Sequence, residues 1–337
     1  MKTWRIAAGG RIEGLSWVDE SLAGPGPTQV RVRVHATTIN YRDLLVLNGV
    51  YPVSTKEPLV PGSDGAGVVV EVGSAVSRFK AGDRVITSFF PNWVDGRMTR
   101  AGLAGALGGG DNGTFAEEML IDERALVKSP AHLDFAQGAS LTCAGTTAWH
   151  ALFESARIKP GSTVLLLGTG GVSICALQLA KAAGARVIIT SSSDEKLARA
   201  RALGADAGIN YNAIPEWGNE VKKLTEGEGV DLVLEVGGEK TFAQSLASVR
   251  MAGMIAVIGG VSGLGGTMVP RQLVGVAVRM QGVFVGSRTM LEDLARFVEV
   301  AGIRPVIDRT FAAADAPEAF RYFAAGKHFG KVAVSFA

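Results

Sequence analysis

Cysteine is nearly absent. The 337 residues contain two, Cys143 and Cys175. That is too few for a disulfide framework or a structural zinc knuckle, which takes four ligands drawn from Cys and His. A surplus of charge is missing as well. Lys plus Arg number 34 against 32 Asp plus Glu, with no block of like sign, so neither nucleic acid nor an anionic membrane is expected as a partner. No run approaches the roughly 18 apolar residues that a membrane span needs. The opening "MKTWRIAAGGRIEG" is broken by charges and glycines and reads as no secretory signal, so a soluble cytoplasmic protein is expected. Glycine, by contrast, is abundant at 44 residues, with no collagen period, which points to many tight turns and close backbone approaches. With 47% hydrophobic residues, a chain this long exceeds one compact core and predicts two domains.

To about residue 128 the pattern is short strands cut by Gly and Pro. "QVRVRVHA" sets Val30, Val32 and Val34 against Arg31, Arg33 and His35, the period of a half-buried strand, and His35 is expected to face solvent. "GAGVVVEVG" and "GDRVITSF" read as further strands of a barrel-like domain, and the glycine-rich insert 91–113 as a functional or mobile loop. After about residue 130, strands alternate with helices and the strands are apolar throughout, the mark of a parallel sheet covered on both faces. "AQGASLTCAGTTAWHALFES" and "KTFAQSLASVRMAG" are read as helices. The fold class is therefore α/β, a Rossmann doubly wound parallel sheet over 129–287. A β-barrel domain over 1–128 is completed by 288–337.

In "LLLGTGGVS" an apolar strand meets Gly168, Gly170 and Gly171, and a helix begins near Val172. Glycines there permit a tight turn and let backbone N–H groups at a helix N-terminus face a pyrophosphate. Ser173 stands where a third glycine usually allows close helix–strand packing. The next strand ends in Ser191, Ser192 and Ser193 rather than in the carboxylate that accepts from an NAD ribose hydroxyl, and Lys196 lies just behind. Hydroxyls and an ammonium suit a 2′-phosphate, so NADP(H) is expected in preference to NAD.

The segments "NYRDLLVLNGVYP", "PLVPGSDGAGVVVEVG", "FKAGDRV", "GTGGVS" and "FGKVAVSF", in this order, resemble the medium-chain dehydrogenase/reductase superfamily over nearly the whole chain. The resemblance implies a GroES-like catalytic domain, a Rossmann domain, a cleft between them and a homodimer formed through the last Rossmann strand, about 281–286. The superfamily's zinc enzymes carry Gly-His-Glu where this chain has Gly62-Ser63-Asp64, a cysteine where Asn40 stands and another ligand near Thr142 and Cys143. No metal ligand set is expected, and the chain looks like the zinc-free quinone oxidoreductase and enoyl reductase branches. By that likeness Asn40, Thr146, Gly259, Gly260, Phe284 and Val285 would lie around the nicotinamide. Lys196 and Tyr211 would contact the 2′-phosphate, and Lys331 would reach a cofactor phosphate.

Zinc polarises a carbonyl and stabilises an alkoxide. Without it, a conjugated acceptor, a quinone, enone or enoyl compound, delocalises the incoming charge itself. The sequence thus favours hydride transfer from NADPH to such a small molecule, with Tyr51 in "NGVYP" as proton donor and Asn40 orienting substrate or nicotinamide. An alcohol dehydrogenase or carbonyl reductase acting without zinc is the alternative, and a non-enzymatic NADPH-binding protein a remote third.

Overall fold

Apolar residues at every second position of one segment decide the architecture of the first half. In the computed structural model, which describes residues 1–7, 9–51, 56–263, 265 and 269–336, Gln29–Thr38 is a ten-residue strand with Val30, Val32 and Val34 all buried. Those valines share a core with Val69, Val85 and Leu126, which is what half-buried alternation produces. The strand is central to a seven-stranded sheet. It pairs antiparallel with Asp64–Val72, with Glu118–Asp122 and, at its far end, with the C-terminal strand Lys331–Ser335. Asp64–Val72 pairs onward with Arg84–Thr87, and that strand with Leu126–Lys128. His35 is half-buried, its ring stacked 4.3 Å from that of Phe135. Burial, with Arg33 and Arg84 adding to it, holds its imidazole below the usual histidine range.

The insert 91–113 is anchored by Trp93, Ala106 and Leu107, all buried. Its glycines fold over Gly62: a Cβ on Gly113 would stand 1.9 Å from the Gly62 carbonyl oxygen. Gly62 itself has φ +86°, and a Cβ there would meet Phe115 at 2.4 Å, so only glycine fits.

The second unit is a six-stranded parallel sheet in the order Ala207–Asn210, Arg186–Ser191, Thr163–Leu166, Val230–Glu235, Val249–Val257, Arg279–Gly282. The order runs outward in both directions from the first strand, the doubly wound arrangement. Val164, Leu165, Val233, Leu234 and Ile255 are fully buried, as expected for strands covered on both faces.

Three details differ from the sequence reading. The compact units divide at Thr146/Thr147 and Phe284/Val285, so 129–146 and 285–287 belong to the first unit rather than to the Rossmann half. The helix expected to run through "SVRMAG" is Phe242–Ser248 and stops there. Val249 already starts a strand, because pairing with Val230–Glu235 outweighs the helical preference of Met and Ala. The helix expected over "AQGASLTCAGTTAWHALFES" is helical, but Leu141–Gly145 and His150–Ser155 are wound as π-helix, a form that recurs at functional sites.

Candidate functional site

The expected site residues fall into two groups, one in each unit. In the first unit, Asn40 sits just before the helix Tyr41–Leu47, where the Asp43 carboxylate accepts from the Asn40 backbone N–H at 2.8 Å. That fixes the asparagine side chain beside the start of the strand Asp64–Val72. Lys331, 2% exposed, opens the neighbouring C-terminal strand. Its Nζ donates to Asn40 Oδ1 at 2.6 Å, the Ile39 carbonyl at 3.0 Å and Asp64 Oδ2 at 3.1 Å. Thr38 Oγ1 also donates to Asp64 Oδ2 (2.7 Å), and Ser63 Oγ to Asp64 Oδ1 (2.8 Å).

This network surrounds Lys331 with protein acceptors. An ammonium has three protons, and three protein oxygens take them. It neutralises the fully buried Asp64. An unpaired carboxylate at that depth would cost several kcal/mol.

A second cation lies close by. Arg42 is buried between the rings of Tyr51 (4.8 Å) and Phe89 (4.9 Å). Its Nη1 donates to the Leu107 and Gly108 carbonyls at 2.9 and 2.8 Å and pairs with Asp43 at 3.2 Å. Burial pushes the Asp43 carboxyl above its usual range, with Arg42 opposing. The Tyr51 hydroxyl is buried beside the Arg42 guanidinium, its one polar neighbour of note among the described residues, without a hydrogen bond of good geometry. Burial raises its pKa above the ordinary tyrosine value, Arg42 again opposing, so it stays protonated through neutrality and can donate. Cys143 is pushed well up by burial, with Asp64 adding to it, and remains a thiol rather than a nucleophilic thiolate. It packs with Phe89, Phe90, Trp93 and Val285 in one apolar cluster. Val285 has φ 51° and is buried there, and Thr146 donates to the Leu141 carbonyl at 2.9 Å within the π-helical stretch.

In the second unit the strand Thr163–Leu166 leads through Gly168 (φ +69°) into the helix Gly171–Ala182. A Cβ built on Gly168 or Gly170 would meet no protein atom within 4 Å, so the turn faces open space. Gly170 caps the helix without a side chain, which leaves the N–H groups of the first turn, including Val172, for an anion. Ser173 fills the third-glycine position by donating to the Leu167 carbonyl at 2.7 Å. Thr190 Oγ1, near the end of the next strand, accepts from Gly168 N–H at 3.2 Å and ties the two strand ends together. Beyond it, Ser191 Oγ accepts from Ser193 N–H at 3.2 Å, Ser193 Oγ accepts from Lys196 N–H at 3.3 Å, and Tyr211 N–H donates to the Ser191 carbonyl at 3.0 Å. Ser191, Ser192, Lys196 and Tyr211 are thus gathered at one strand end, and the nearby Asp194 carboxylate is engaged by Asn210 Nδ2 at 2.9 Å. The pyrophosphate of a nicotinamide dinucleotide fits the open N–H groups of the first helical turn.

Glu235 was not singled out by the sequence, where it reads as one more strand residue. It is fully buried at the carboxyl end of Val230–Glu235, next to the strand that carries the glycine turn. Its Oε1 accepts from Gly237 N–H (2.7 Å), Gly238 N–H (2.9 Å) and Thr241 Oγ1 (2.6 Å), and Oε2 accepts a short bond from Ser245 Oγ. The carboxylate shapes the loop at the switch point of the sheet, the place where doubly wound folds bind ligands. The backbone N–H groups of Ile258 and Gly259 donate to the Glu235 carbonyl, which brings Gly259 and Gly260 to the same loop. Phe284 closes the second unit and is exposed.

Two family models match the chain: the alcohol dehydrogenase GroES-like domain over residues 26–131 and the zinc-binding dehydrogenase over residues 171–300. A zinc-type alcohol dehydrogenase-like protein of Schizosaccharomyces pombe is 44% identical over 312 residues, 91% of this chain and 90% of that protein. Among solved structures, an NAD-dependent alcohol dehydrogenase superposes with a TM-score of 0.91 at 35% identity, covering 100% of both chains. A quinone oxidoreductase of Pseudomonas syringae pv. tomato DC3000 does so with 0.85 at 30% identity, covering 99% of both. The chain belongs to the medium-chain dehydrogenase/reductase superfamily. Within it, the protein is an NAD(P)-dependent oxidoreductase of the quinone oxidoreductase and alcohol dehydrogenase type.

The zinc in one family description has no matching donors at the place where the superfamily's zinc enzymes bind it. Asn40 and Asp64 direct oxygens at the Lys331 ammonium, and Ser63 spends its hydroxyl proton on Asp64. Among the described residues no three of His, Cys, Asp and Glu come together as a metal would require. The residues present do not fit the ion.

Proposed function

We propose that this protein is an NADPH-dependent reductase that delivers hydride to a conjugated acceptor, a quinone, enone or enoyl compound, without zinc. The observation that carries the reading is the buried Lys331–Asp64–Asn40 network. An ammonium neutralises the carboxylate aligned with a zinc ligand, and no Lewis acid is thereby available to polarise an isolated ketone. A conjugated system spreads the incoming charge over its own atoms and needs only a proton afterwards. Tyr51 supplies it: its hydroxyl is protonated and buried, with the Arg42 guanidinium beside it.

The cofactor donates or accepts hydride at its nicotinamide. Gly168, Gly170, Gly171 and Val172 hold its pyrophosphate, and Ser191, Ser192, Lys196 and Tyr211 hold its 2′-phosphate. Gly259, Gly260 and Phe284 border the nicotinamide. The protein acts as a homodimer on a small molecule.

Purified protein treated exhaustively with chelator is expected to keep its NADPH-linked turnover of quinones or enones and to leave secondary alcohols untouched. Turnover of secondary alcohols after the same treatment would support the zinc-independent alcohol dehydrogenase reading instead.

A further inference from the structure

Charge is almost balanced along this chain, with a net of +2, yet it is not balanced everywhere. At the amino ends of the parallel strands, a concavity of about 260 Å³ in the second unit is lined by Arg157, Lys159, Arg250 and Arg279, with Asp231 as the one carboxylate. The excess of cations in this one hollow exceeds that of the whole protein.

Asp231 does not cancel it. Its Oδ2 accepts from Thr163 N–H and its Oδ1 from Arg250 Nε, both at 2.7 Å, so its charge is absorbed in holding the strand starts and one arginine in place. Arg157, Lys159 and Arg279 make no side-chain hydrogen bond, ion pair or ring contact among the described residues. Three unpaired cations around one hollow repel each other unless an anion shares them.

The backbone is unusual on both sides of the hollow. Arg157 has φ 53° and Ala252 φ 56°, conformations that side chains other than Gly, Asn and Asp avoid. The turn after His150–Ser155 and the bulge in Val249–Val257 thus both adopt disfavoured geometry where they meet the hollow, as happens at ligand sites. The strand Thr163–Leu166 runs from this hollow to the glycine turn at Gly168, about 16 Å away at roughly 3.3 Å per residue. The cofactor phosphates are therefore bound at the opposite end of the sheet.

We infer that the hollow lined by Arg157, Lys159, Arg250 and Arg279 is a second anion site, built for a compact phosphate-type dianion and separate from the cofactor site. Its volume admits inorganic phosphate or the head of a small phosphomonoester. The inference does not depend on which acceptor the enzyme reduces.

Calorimetric titration with inorganic phosphate and with glycerol 3-phosphate, against sodium chloride at matched ionic strength, tests it. The wild-type protein is expected to bind at least one of the two phosphates, and the stronger of them identifies free phosphate or a phosphomonoester as the natural class. Arg157→Gln/Arg279→Gln is expected to weaken that binding at least tenfold while NADPH affinity stays the same. Both side chains are exposed and partnerless, so folding should survive, and Lys159→Gln provides an independent variant. Phosphate heats no different from chloride would overturn the assignment. Phosphate binding that is unchanged in both variants, or that NADPH displaces, would overturn it equally.

Discussion

Lys331→Met will destabilise the unit that contains it by about 3–5 kcal/mol, the usual consequence of leaving one member of a buried ion pair without its partner. The methionine keeps most of the volume and apolar stem, so the loss reports charge rather than a cavity. Asp64 would then be fully buried with two hydroxyl donors and no cation. Adding Asp64→Asn to Lys331→Met should recover a large part of the loss, because the amide removes the uncompensated charge. Denaturant unfolding of the single and double variants measures both. A Lys331→Met protein as stable as wild type would show that the pair does not carry the weight assigned to it. The same variant separates two roles for this lysine. If Lys331 held a cofactor phosphate, the dominant effect would be a rise in the KM for NADPH with stability preserved.

Tyr51→Phe is expected to lower kcat on an enone by about 10²- to 10³-fold, within the range that positioned general acids contribute. Stability should hardly change, since the hydroxyl makes no hydrogen bond of good geometry among the described residues and the ring that covers Arg42 remains. Burial holds the hydroxyl above its ordinary pKa, so the wild-type enzyme should lose little activity from tyrosine ionisation between neutrality and about pH 9. An unchanged kcat, measured where chemistry limits the rate, would remove Tyr51 from the proton-transfer step.

What could be read from the sequence was whatever repeats locally. The alternation of Val30, Val32 and Val34 dictates a strand with one buried face. The apolar strands alternating with helices dictate a parallel sheet, and the Gly168-x-Gly170 turn between strand and helix dictates an anion cradle. Long-range partnerships were not legible. Lys331 and Asp64 are 267 positions apart, and only adjacency of the C-terminal strand to the start of the sheet makes them a pair. The residues flanking Lys331 say nothing of its pairing with Asp64. Glu235 shows the same limit: its four donors come from the following loop and helix, and nothing in "VDLVLEVG" announces them. Val249 reads as helical in sequence because a neighbouring strand, rather than its own flanking residues, decides its conformation.

Lys331 Nζ sits against Asn40 and Asp64, and the proposal is that reduction occurs at a conjugated carbon without a Lewis acid. Metal-depleted protein incubated with NADPH deuterated at the transferable C4 position and a simple enone tests it directly. Deuterium at the carbon β to the carbonyl, at a rate that added zinc does not raise, is the predicted result. Deuterium at the carbonyl carbon, or activity that appears only when zinc is returned, would contradict it.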